Sequence, residues 1–109
     1  YTEAIRLDPQ DAAAYYNRGN AYDDKKDYDR AIADFTEAIR IDPQYARAYN
    51  NRGVSYGNKG DYDRAIADYT EAIRLDPQYA LAYDNRGKAY QAKAEADLAE
   101  AKRLGYSGN

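Results

Sequence analysis

The 109-residue sequence contains no cysteine, histidine, tryptophan or methionine. Without cysteine there are no disulfides and no thiolate metal sites, and the compartment is left open. Without histidine the commonest metal ligand and the usual general base are missing. No metal and no cofactor is therefore expected. The apolar runs are only a few residues long, too short to span a membrane. Basic character is also lacking. A formal charge of −3 argues against a phosphate-backbone partner, so no nucleic acid is expected. An enzyme would need a converging acid, base or nucleophile. Ser55 and Ser107 have no catalytic context, and the many carboxylates sit where they pair with Arg or cap helices. Catalysis is not expected.

What is present suits one soluble folded domain: 44% hydrophobic residues against 32% charged. The core material is mostly alanine with 14 tyrosines and a single phenylalanine. Tyrosine is amphipathic, so such a core lies in thin layers where each hydroxyl reaches water or a partner.

Self-comparison reveals the organisation. "NRG" recurs at Asn17, Asn51 and Asn85, and "DPQ" at Asp8, Asp42 and Asp76, each spaced by 34 residues. Residues 12–45 and 46–79 differ at nine of 34 positions and match at the other 25. Each unit reads as two helices. Tyr49, Gly53 and Tyr56 form one stripe; Ala65, Ile66, Tyr69, Ala72, Ile73 and Leu75 form another. Between them Gly60 suits a left-handed helix stop and Asp61 an N-cap, and Pro77 blocks continuation at the far end. Lys26 replaces that glycine in the preceding unit, where a left-handed turn costs about 1 kcal/mol.

These residues carry a family resemblance. Tyr15, Gly19, Tyr22, Ala31, Phe35, Ala38 and Pro43, then Tyr49, Gly53, Tyr56, Ala65, Tyr69, Ala72 and Pro77, resemble the tetratricopeptide repeat (TPR). Tyrosine stands where the first helix more often has tryptophan. The resemblance implies an all-α fold, a right-handed superhelical solenoid of antiparallel helix pairs. Residues 1–11 would be part of a preceding second helix, 12–45 and 46–79 two repeats, and 80–109 a shortened third.

In such solenoids first helices line an inner groove that takes extended peptides or partner helices. Seven of the nine differences between the two units fall in the first helix or its turn, as expected of a face that reads a ligand or of one that is merely solvated. The resemblance places Ala13, Tyr16, Asn17, Asn20, Asp23 and Asp24 of the first unit in the groove. It adds Arg47, Asn50, Asn51, Val54 and Asn58, then Leu81, Asp84, Asn85, Lys88 and Gln91. Asn17, Asn51 and Asn85 could clamp a peptide backbone or form structural bonds to a neighbouring helix. Some members hold a terminal carboxylate with Lys, Asn, Asn, Lys and Arg. Here Asn20 and Asn51 match, but Tyr16, Leu81 and Asn85 replace the cations, so that ligand is poorly served. Asp23 and Asp24 favour a basic or amine-bearing segment at that end.

The third unit lacks the turn. Inserting "GDYDR" after Lys93 would restore the pattern, but Lys88–Leu104 contains no Gly, Pro or Asn and consists largely of strong helix formers. A turn would leave only about two helical turns after Asp97, a marginal helix. One continuous helix from about Gln78 to Leu104 is predicted, ended by Gly105. It would leave Leu98, Ala101 and Leu104 uncovered, and Tyr1 and Ile5 form a second apolar edge. The hypothesis that follows is a homo-oligomer formed by helix exchange. Two readings stand: a protein-interaction module binding a peptide or partner helix, or a self-assembling structural or engineered repeat whose long C-terminal helix drives oligomerisation.

Overall fold

The computed structural model describes residues 2–106. Tyr1 and Ser107 lie outside the described residues. The described residues form six helices: α1 Thr2–Leu7, α2 Ala12–Asp24, α3 Tyr28–Ile41, α4 Ala46–Asn58, α5 Tyr62–Leu75 and α6 Ala80–Arg103. They pack in sequence. α2 with α3 and α4 with α5 form hairpins; α3 meets α4, α5 meets α6, and α1 rests on α2. The first helices also touch one another, α2 with α4 and α4 with α6. Such stacking gives an elongated body of 60 × 29 × 18 Å rather than a sphere.

The punctuation is local. Asp27 and Asp61 cap α3 and α5 by accepting from the amides of Arg30 and Arg64, at 3.4 and 3.3 Å. The preceding residues take the left-handed conformation, Lys26 at φ 62° and Gly60 at φ 84°. Each "DPQ" segment folds into a side-chain turn. The carboxylates of Asp8, Asp42 and Asp76 accept from the amides of Gln10, Gln44 and Gln78, each at 3.1 Å. That turn corrects one boundary. Gln78 is held in it, so α6 begins at Ala80 with Tyr79 as its N-cap. At the other end Leu104 is the C-cap and Gly105 turns left-handed at φ 101°. The Tyr106 and Gly105 amides close that end on the carbonyls of Ala101 and Lys102, at 2.8 and 3.0 Å.

The core is thin, as a tyrosine–alanine composition requires. Ala31, Phe35, Ala38, Ala48, Ala65, Ala72 and Ala82 are fully buried, and Tyr69 nearly so. Alanines let the helices approach, and one aromatic ring per hairpin fills the remaining space. The ring needs a glycine opposite. A Cβ on Gly19 would lie 2.7 Å from Phe35 Cε1, and one on Gly53 2.7 Å from Tyr69 Cε1. Beside each ring a buried carboxylate receives an arginine in two parallel bonds. Arg18 donates to Asp34 at 2.8 and 2.8 Å, and Arg52 to Asp68 at 2.8 and 2.8 Å. Arg52 also lies over the rings of Tyr49 and Tyr56, 5.4 and 5.9 Å from their centroids.

α6 starts within this scheme and then leaves it. Ala82 and Ala89 are buried on the preceding hairpin, and Lys93 pairs with Asp63 at 2.6 Å, as Lys59 pairs with Asp29 one unit earlier. Beyond Lys93 the helix runs free. Leu98 is 63% exposed and Leu104 71%, while Ala101 is half-buried. At the opposite end Ile5 is half-buried on a helix with no fully buried residue.

Candidate functional site

The face carried by α2, α4 and the first half of α6 holds the residues expected to bind. Asn17, Asp24, Arg47, Asn58, Leu81, Asp84 and Lys88 are exposed on it. Asp84 and Lys88 pair with each other at 2.9 Å. Tyr16, Asn20, Asp23, Asn51, Val54 and Asn85 are half-buried where neighbouring first helices meet. Asn50 differs. Expected among the lining residues, it is 1% exposed and lies beneath the surface.

Asn50 belongs to a chain of amides that crosses both seams. Asn85 Nδ2 donates to Asn50 Oδ1 at 3.2 Å, and Asn50 Nδ2 donates to Asn51 Oδ1 at 3.1 Å. Asn51 Nδ2 then donates to Asn20 Oδ1 at 2.8 Å and to the Tyr16 hydroxyl at 3.0 Å. For Asn51 the structural bond to a neighbouring helix is therefore present, and both of its amide hydrogens are used. Asn17, at the same repeat position, makes no side-chain hydrogen bond among the described residues. Tyr16 stacks on Tyr45 with centroids 5.0 Å apart. Burial, with Tyr16 adding, raises the phenol pKa values of Tyr45 and Tyr79, and the Arg47 cation opposes the rise on both.

The two seams differ. Between α2 and α4, Asn51 bonds Asn20, and Ser55 Oγ, fully buried, donates to Asp23 Oδ1 at 2.9 Å. Beyond the Asn51–Tyr16 bond, whose counterpart Asn85–Asn50 crosses the next seam as well, these two polar contacts lock the first seam. One unit later Val54 replaces Asn20, Gly57 replaces Asp23 and Ala89 replaces Ser55. Neither lock can form, and a cleft of about 230 Å³ opens there. It is lined by Val54, Gly57, Asn58, Tyr62, Tyr69, Asn85, Lys88, Ala89 and Ala92. Its floor is apolar and aromatic, and its rim offers two amides and an ammonium. Such a space is large enough for one side chain, with hydrogen-bond donors and acceptors at its rim. Burial pushes the Tyr69 phenol at the floor up to about 12, with Asp68 and Asp23 adding to the effect.

Four of the expected residues, Val54, Asn58, Asn85 and Lys88, come together around this cleft. Gly57, Tyr62, Tyr69, Ala89 and Ala92 were not among those expected. The signal that points to them is a paired difference between units, Asp23 with Ser55 against Gly57 with Ala89. Read singly, these are variation on an outward face. Among the described residues no three His, Cys, Asp or Glu side chains converge as metal ligands, and no helix is long and apolar enough to cross a membrane.

A paired-helix solenoid whose successive first helices share one face defines the class, a helical-repeat scaffold. The tetratricopeptide repeat model matches residues 12–45 and 46–79, and the chain belongs to that family. Solved relatives agree. An Arabidopsis OM64 TPR domain is 33% identical, with a TM-score of 0.82 over 84% of this chain and 75% of that one. The first TPR of Spaghetti (RPAP3), bound to the HSP90 peptide SRMEEVD, is 29% identical with a TM-score of 0.83, covering 86% of this chain and 75% of that one. The second TPR domain of human RPAP3, in complex with the HSP70 peptide SGPTIEEVD, is 30% identical with a TM-score of 0.80, covering 83% and 75%. Among curated proteins none matches the chain at a significant level.

Proposed function

We propose that this chain is a protein-interaction module that binds an extended peptide across α2, α4 and the first half of α6. The cleft between α4 and α6 carries this reading: it is open where the neighbouring seam is locked, and Asn58, Asn85 and Lys88 stand at its rim. The peptide-bound relatives lend support, since both hold short segments on the same scaffold. Those segments end in an acidic stretch. This chain suits a different sequence. Asn20 and Asn51 are bonded to each other, and Tyr16, Leu81 and Asn85 supply no cation for a terminal carboxylate. An apolar side chain in the cleft, followed toward α2 by a basic residue near Asp23 and Asp24, is the better fit.

The test transplants the lock. Gly57→Asp with Ala89→Ser rebuilds the Asp23–Ser55 contact across the second seam. A Cβ on Gly57 would meet only Ala65 Cβ at 3.8 Å and the Tyr69 hydroxyl at 4.0 Å, so the change is accommodated. Peptides selected from a random library by the unaltered chain should lose about tenfold or more in affinity for the double variant, read by fluorescence anisotropy. Unchanged affinity would remove the cleft from the site. Failure of the library to yield any binder would count against the whole reading.

A second reading rests on a different observation. Tyr90, Leu98 and Leu104 are exposed by 55%, 63% and 71% along one helix. We propose that the chain also self-associates through α6, because an apolar stripe of this length in water is covered in stable solenoids by another helix.

A further inference from the structure

The free stripe of α6 holds both halves of an unmade hairpin, and this specifies its partner. Its first half repeats a receiving surface. Tyr83, Arg86, Gly87 and Tyr90 occupy the positions of Tyr15, Arg18, Gly19 and Tyr22 and of Tyr49, Arg52, Gly53 and Tyr56. In both complete repeats that surface receives an aspartate on the arginine and a large ring on the glycine. On α6 it receives nothing. Among the described residues a Cβ on Gly87 would meet no atom within 4 Å, and Arg86 makes one side-chain hydrogen bond, to Thr70 Oγ1 at 3.3 Å.

The second half of α6 is the matching insert. With five residues skipped after Lys93, Ala94, Asp97, Leu98 and Ala101 stand where Ala31, Asp34, Phe35 and Ala38 stand in the first repeat. Asp97 has no ion-pair partner among the described residues, and Leu98 is 63% exposed. Within one chain the halves cannot meet. Arg86 and Asp97 lie about 16 Å apart along a straight helix at 1.5 Å per residue.

We infer that α6 pairs antiparallel with α6 of a second copy, each copy supplying the second helix that the other's third repeat lacks. This rests on the self-association reading above and specifies its partner and register. The pairs 86 with 97, 87 with 98, 83 with 101, and 90 with 94 are all centred within one residue of position 92. A single antiparallel register therefore satisfies all four. A two-fold axis through that point makes each pair twice, as a closed dimer requires. Arg86 of each copy then meets Asp97 of the other, and Leu98 fills the space opposite Gly87. Charge complementarity and the template present twice in this chain choose a second copy over an unrelated helix.

Charge reversal across the axis provides the test. Arg86→Glu sets like charges against each other at both symmetric sites, and so does Asp97→Arg. Mixed one to one, the two variants set the introduced glutamate against the introduced arginine at one site and keep the original Arg86 with Asp97 at the other. Sedimentation equilibrium on the full chain should show a dimer. Each variant alone should dissociate at about tenfold or higher concentration, and the mixture should recover the dimer. Inserting Gly-Asp-Tyr-Asp-Arg after Lys93 should close the hairpin within one chain and give a monomer. A chain that is monomeric at several hundred micromolar overturns both the inference and the self-association reading. A dimer indifferent to the single reversals, unrecovered on mixing or retained after the insertion overturns the pairing alone.

Discussion

α4 and the first half of α6 carry the same Tyr-x-x-Arg-Gly-x-x-Tyr stripe, at Tyr49–Tyr56 and Tyr83–Tyr90, but the stripes are covered differently. In α4, Gly53 is buried under the Tyr69 ring, and Arg52 is tied to Asp68. In α6 the glycine is open, Tyr83 is 46% exposed and Tyr90 55%. What separates them is a five-residue turn present after α4 and absent within α6. Amphipathic periodicity announces that a helix has a face to bury. The connection that follows decides whether the same chain buries it.

Substitutions that act on one copy of the stripe and leave the other unmoved test this comparison. The largest contrast pits Phe35, fully buried, against Leu98, its counterpart on the free end of α6. Phe35→Ala should cost about 3–5 kcal/mol in urea unfolding. Leu98→Ala, measured at concentrations where the chain is monomeric, should stay within about 0.5 kcal/mol. A similar cost for both would mean that α6 is covered within a single chain.

The glycines should respond with opposite signs. Gly53→Ala forces the Tyr69 ring aside and should destabilise by about 1–3 kcal/mol. Gly87→Ala meets nothing and gains helix propensity, so the monomer should be stabilised by up to about 1 kcal/mol.

Smaller again is the turn before α3. Lys26 holds φ 62° where the next unit uses Gly60, and Lys26→Gly should raise stability by about 1 kcal/mol. No change in the thermal midpoint would show that the turn tolerates lysine without strain.

The mildest contrast is one of pH. The Tyr69 phenol is raised to about 12 in the folded chain, against about 10 when unfolded. The folded state therefore holds this proton while the unfolded state loses it. Its stabilising contribution is complete below pH 10 and is lost as pH rises toward 12. Tyr69→Phe, which copies the first unit's Phe35, should flatten that part of the alkaline decline.

Much of the fold could be read from local chemistry. Asp27 and Asp61 as caps, the "DPQ" turns, Gly60 and the continuous α6 all depend on residues a few positions apart. The candidate site was less legible. Asn50 reads as a lining residue because its spacing from Arg47 and Val54 marks one helix face. In the stack that position falls between Asn51 and Asn85 and is sealed over. Asp23 and Ser55, 32 residues apart, gave no local hint that they would bond. Their replacement by Gly57 and Ala89 gave none that a cleft would open.

By itself the sequence determined the helices, their ends and the 34-residue beat, because capping, propensity and periodicity act over one or two turns of chain. The tertiary structure alone decided which amides are consumed in seams, which seam stays open and which copy of the glycine stripe faces water. Those outcomes depend on side chains about one repeat apart arriving within hydrogen-bonding or van der Waals reach, and only the stacking of helices sets that distance.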